Sequence, residues 1–160
     1  MVVDKRTQLR ESLTATQNRL CGLLESVSSD QDWQPEPQKW SFRYIAAHLA
    51  TVDKECYLVR VVRISAGEEP FFESYYNTGR DFSGFDLKDS LQEWKVTRQK
   101  IFGFVGNLAE ESLMLSGTHD SFGKITVLDV LKMMHDHDQE HIQHLESLIT
   151  KYKAQVSHTG

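Results

Sequence analysis

TVLDVLKMMHDHDQEHIQHLESL, residues 126–148, decides how this chain is read. Its residues Val127, Val130, Leu131, Met134, Leu145 and Leu148 recur at helical steps, which marks one apolar face of an α-helix. Thr126 stands at the N-cap position, and Asp129 three residues on gives a capping-box-like start. Four of the chain's seven histidines interrupt this face, at positions 135, 137, 141 and 144. At about 100° per residue, His137 and His141 project from nearly one line, His141 inward and His137 toward one edge of the apolar face. His144 falls at the rim, and His135 turns to another side.

Three more stripes extend the pattern. Leu9, Leu13, Leu20, Leu24 and Val27 make the first. The second helix opens at Ser41, an N-cap residue, with Trp40 and Ile45 placed as a hydrophobic staple. Its stripe runs through Ile45, His48, Leu49, Val52, Cys56 and Val59, and Gly67 is its natural stop. A third helix starts near Asp86 and carries Leu87, Leu91, Trp94, Ile101, Val105 and Leu108, with Arg98 on the same face. Between the second and third lies EEPFFESYYNTGRDFSGF, residues 68–85, aromatic and long enough to cross the end of a bundle. SGTHDSFGKI, residues 116–125, reads as an irregular loop or a short hairpin. These segments predict an all-α four-helix bundle in one domain, residues 1–160, with a long crossover between helices two and three.

Composition narrows the function. A chain of 160 residues with 39% hydrophobic and 26% charged residues buries an ordinary core. A formal charge of −5 argues against a duplex nucleic-acid binder, which needs a positive surface. No apolar run reaches the length of a membrane span, and MVVDKRTQLRESL lacks the apolar core of a signal peptide, so a cytoplasmic protein is expected. Cys21 and Cys56 lack metal-site spacing and read as buried thiols.

Two imidazoles at i and i+4 grip a metal weakly, so a third ligand must come from another helix. His48 is the candidate, flanked on its stripe by Ile45, Leu49 and Val52. Three core-facing histidines leave coordination positions open for water or substrate. The bland reading stands beside this one: a lone inward histidine is usually a hydrogen-bonded core residue, and paired histidines also decorate solvated faces. His119, in the loop, and His158, in the tail, read as surface residues. Spacing alone leaves both readings open.

Three passages together resemble the DinB-like (DinB/YfiT) family of metal-dependent enzymes. They are QPEPQKWSFRYIAAHLATVDKECYLVRV, with its Trp-Ser helix start and His-Leu pair, GTHDSFGKITVLDVL, and the His-Asp-x-x-His element HDQEH. The matching features run from about Trp33 to Leu148. The resemblance implies up-down-down-up topology and a divalent metal held by His48, His137 and His141. Three imidazoles suit zinc, nickel or iron. Relatives include transferases and isomerases that use a low-molecular-weight thiol such as bacillithiol or mycothiol. By resemblance, then, the chain is expected to be a thiol S-transferase or hydrolase-like enzyme acting on a small electrophile. Arg98, through its planar fork, and Glu55, on a similar face to His48, are the candidate catalytic residues. Two other readings remain: a non-enzymatic bundle that binds metal or a small ligand in a stress response, and a metal-free interaction module. Bundles of this size often pair through an apolar helix face, so a homodimer is compatible with all three.

Overall fold

The computed structural model describes residues 4–159, with side chains through residue 157, so the reading of His158 lies outside the described side chains. Five helical segments form four rods. Helix α1 (Lys5–Glu25) is capped by Asp4, whose carboxylate accepts from the Arg6 backbone N–H. The second rod is α2 (Phe42–Val52), a π-helical turn (Asp53–Tyr57) and α3 (Leu58–Ser65) in unbroken succession. Ser41 caps it at Tyr44, as its sequence predicts. Helix α4 (Leu87–Gly106) starts on the Asp86 cap. Helix α5 (Val127–Thr159) starts on a reciprocal box: Thr126 N–H donates to Asp129 Oδ2 at 2.9 Å, and Asp129 N–H donates to Thr126 Oγ1 at 3.3 Å.

Side-chain bonds give the rods their directions. Thr16 meets Asp138 and Arg19 meets Glu146, so α1 and α5 run parallel. Arg43 meets Phe85 and Asp53 meets Trp94, so the second rod runs parallel to α4. Arg6 reaches Val105 while Glu25 pairs with Lys95, which makes α1 and α4 antiparallel. The bundle is therefore up-down-down-up, and the crossover carries the chain from the end of α3 back to the start of α4.

The π turn changes what the second stripe buries. Leu58 N–H donates to Asp53 O, five residues back, so one extra residue enters the turn and the inward face slips by one position. Val59, expected inward, is 41% exposed, while Tyr57, Arg60, Val61 and Ile64 are buried. The same slip turns the Asp53 carboxylate into the core. Val27 and Leu108 extend their stripes beyond α1 and α4 and pack from the adjoining loops.

The all-α expectation is corrected by a small sheet. Strand β1 (Phe71–Phe72), in the crossover, pairs in parallel with β2 (Ser116–His119), which forms an antiparallel hairpin with β3 (Gly123–Thr126). The hairpin turns at Gly123, with φ 72°. Gly117 is required by close approach: a Cβ there would lie 2.8 Å from Pro70 O. The sheet fastens the crossover against the start of α5. No described helix is long and apolar enough to cross a membrane.

Candidate metal centre

The second rod and α5 bring His48, His137 and His141 together in the middle of the bundle. His48 Nε2 lies 3.3 Å from His137 Nε2, and His141 Nε2 lies 3.1 Å from the same atom. The separation of 89 residues between His48 and His137 shows that packing, not local spacing, makes the third partner. His48 Nδ1–H donates to Asn77 Oδ1 at 2.6 Å, which holds the tautomer whose bare Nε2 faces the other two rings. Asn77 comes from the crossover and is buried. Trp40 covers the trio on one side, its ring centroid 4.8 Å from that of His48 and 6.4 Å from that of His141. Tyr57 meets His137 edge-on.

A protein-only account of this cluster is poor. Nitrogen lone pairs converge there with too few protons to bridge them, and His141 Nδ1 is buried without a partner among the described residues. Burial, and then the neighbouring imidazoles, hold His137 down to about 4 and His141 to about 2; burial also lowers His48, against its hydrogen bond to Asn77. All three are therefore neutral at pH 7, the form in which imidazole binds a metal. The described residues fit a divalent cation: these three offer ligand atoms within 4.8 Å of one another.

The same shifts predict acid sensitivity in metal-free protein. Below the ordinary histidine value of 6.5 the unfolded chain takes up protons that folded His137 refuses until about 4. Stability is therefore complete above 6.5 and falls as the pH drops through that window. Thermal unfolding of chelator-treated protein between pH 7 and 4.5 should show this fall, reduced in His141→Leu. Parallel pH profiles for the two proteins would refute this assignment.

A cavity of about 500 Å³ opens beside the cluster, lined by His48, His137, Tyr57 and Asn77 together with Arg60 and His119. Its Cys56 thiol is pushed up to about 11, chiefly by burial, so it stays protonated and is a poor ligand or nucleophile. Cys21 is likewise buried and pushed up to about 11.

The other sequence candidates lie elsewhere. Arg98 is fully buried, its fork spent on two carboxylates: Nε and Nη2 donate to Asp53 at 2.9 and 3.1 Å, Nη1 and Nη2 to Asp138 at 2.6 and 3.2 Å. Thr16 and Trp94 complete this cluster. Burial pushes the Asp53 carboxyl up, against the pull of Arg98. Glu55 sits at the surface, accepting from Tyr75 Oη at 2.5 Å and Arg80 Nη1 at 2.6 Å, and so pins the crossover that carries Asn77. His135 and His144 stay outside the trio.

Two residues of the site escape sequence reasoning. Asn77 carries no periodic signal. His119, expected at the surface, is 3% exposed on β2. The signal for it is alternation: Gly117 and His119 point one way and Thr118 the other, once SGTH is read as a strand.

The model of the DinB superfamily matches residues 12–145. Among solved structures, YfiT from Bacillus subtilis is described as a probable metal-dependent hydrolase with an unusual four-helix bundle topology. It superposes with a TM-score of 0.78 over 96% of this chain and 91% of that one, at 18% sequence identity. At that identity the likeness speaks for the fold. No curated protein matches the chain.

Proposed function

This chain belongs to the DinB superfamily, and from that premise we propose that it is a metal-dependent enzyme acting on a small electrophilic substrate. His48, His137 and His141 would hold one divalent ion, and the reaction would be hydrolysis or transfer to a low-molecular-weight thiol such as bacillithiol. One observation carries the reading: three imidazole nitrogens converge beside a cavity large enough for a small molecule. A closed structural site would surround its ion with protein ligands, whereas three ligands, two of them in a cavity wall, leave a position open.

A divalent ion there supplies Lewis acidity, polarising a bound oxygen or stabilising a bound thiolate. The chain's own residues do the rest. Asn77 fixes the tautomer and ring orientation of His48. Trp40 and Tyr57 keep apolar surface against the imidazoles and limit water. Glu55, Tyr75 and Arg80 tie down the crossover that closes the cavity.

The test loads purified protein with zinc, nickel or iron(II) and follows two reactions: hydrolysis of an activated ester, and disappearance of bacillithiol in the presence of a chloroarene electrophile. Turnover in one of them, abolished by chelator and restored by metal, is the expected result. Metal-loaded protein inert in both would favour the non-enzymatic binding bundle.

A further inference from the structure

We propose that the cavity beside the three histidines carries a built anion subsite, formed by Arg60 and His119, that selects substrates bearing a carboxylate. This rests on the metal-enzyme reading for the position of the reacting group, and adds to it the chemical class of the substrate.

Arg60 reaches the cavity because of the π turn, which brings it to the inward side of the second rod. It is 5% exposed, and among the described residues it makes no ion pair. A buried guanidinium without a carboxylate is unusual, since buried charges are paired or bind something. Its one hydrogen bond among the described residues runs from Nη2 to Glu73 O at 3.1 Å. None of its other N–H groups is buried without a partner among the described residues, and the residue lines the cavity. The Phe72 ring lies 5.4 Å from the Arg60 guanidinium carbon and also 5.4 Å from that of Arg63, whose own charge is met by Glu68 at 3.4 Å. The planar fork of arginine matches a carboxylate through two parallel bonds.

His119 supplies a second donor. The backbone N–H groups of Ser121 and Phe122 both donate to its Nδ1, at 3.0 and 3.3 Å. Asp120 Oδ1 also lies 3.1 Å from this nitrogen, but Asp120 is already engaged by Ser74 N–H and by the Ser74 and Ser121 hydroxyls. Two converging N–H donors require a bare Nδ1, so the proton sits on Nε2. That Nε2–H makes no hydrogen bond among the described residues, and the ring lines the same cavity as Arg60. Among the described residues lining this cavity the one acidic residue, Glu140, is exposed. One charged donor and one neutral donor thus line a cavity whose wall also includes two of the metal-site imidazoles, His48 and His137.

The experiment compares two probes of one shape, 3-mercaptopropionate and 3-mercaptopropionamide, by calorimetric titration into zinc-loaded and into metal-free protein. Sulfur is the group offered to the metal, and only the acid offers a carboxylate to Arg60. The acid should bind loaded protein at least ~10-fold more tightly than the amide. Arg60→Met should erase this preference, Arg60→Lys should keep part of it, and His119→Phe should reduce it, with circular dichroism confirming the fold of each. In metal-free protein the preference should persist at lower absolute affinity. Equal binding of acid and amide in both forms overturns the subsite, whether or not zinc is bound. A preference that survives with no gain from zinc instead removes the metal reading and leaves the subsite standing.

Discussion

His141→Ala protein purified without chelator is expected to lose its metal while keeping its fold. Wild type should carry close to one equivalent of a divalent ion, whereas the variant retains two imidazoles, 3.3 Å apart across two helices. Losing a residue that merely orients a ligand typically weakens a metal site ~10–100-fold, and losing a ligand should do at least as much. His48→Ala should behave alike. Asn77→Ala, which removes only the partner of His48, should leave metal bound at reduced affinity. Elemental analysis and competition with a chelator read all three.

The stability of these variants separates a metal centre from an ordinary polar core. A satisfied core histidine donates and accepts within the protein, so truncating it should unfold the chain more easily. His141 has a buried Nδ1 with no partner among the described residues and is forced neutral beside two other imidazoles. Truncating it therefore relieves an unfavourable arrangement. Metal-free His141→Ala should melt no lower than metal-free wild type. Metal-loaded wild type should melt higher than either, because an ion that binds only the folded state stabilises it by mass action. A variant that keeps its metal, or wild type that takes up none under any condition, would leave the histidines as a helix face and end the enzyme reading.

The rods are legible in the sequence because their signals are local. Apolar residues at three- and four-residue steps, the caps at Ser41 and Asp86 and the Thr126–Asp129 box all act within a turn or two. The metal trio is legible for a related reason: each histidine lies on or beside an apolar stripe, so helix packing alone brings the three together. What escapes depends on contacts made across the chain. The π turn at Asp53–Tyr57 is written in no residue of the turn. It places Asp53 where it can meet Arg98, and a stripe extrapolated at constant pitch puts Val59 inward instead of Arg60 and Val61. Strand β1 is only two residues long and exists because β2, more than forty residues later, pairs with it. Asn77 and His119 join the site through that crossover and that sheet, so helical periodicity has no means of finding them. Arg98 stands out in the sequence as a charge on an apolar stripe, but the partners that explain it lie on two other rods.

Replacing Arg98 by methionine should destabilise the fold more than any of the histidine substitutions. The guanidinium is fully buried between Asp53 and Asp138, and removing it strands two carboxylates in the core. Breaking a buried pair in this way typically costs about 3–5 kcal/mol, far more than the intact pair contributes over a well-packed apolar substitute. In a domain of this size that corresponds to a fall in Tm of roughly 6–20 °C. Arg98→Lys should fall between, because an ammonium keeps the charge but cannot reproduce the fork across both carboxylates. Replacing all three members by apolar residues of similar volume should restore much of the lost stability. Thermal melts of the four proteins decide the order, and an Arg98→Met that melts with wild type would mean that the cluster holds nothing together. Asp138 follows His137 directly in α5 and accepts from Thr16 of α1, so the cluster also sets the rotation at which α5 presents its histidines. Arg98→Lys should accordingly weaken metal binding in step with its loss of stability. Full metal occupancy and a near-native melt combined with a large fall in turnover would instead give Arg98 the direct catalytic part that its sequence position suggests.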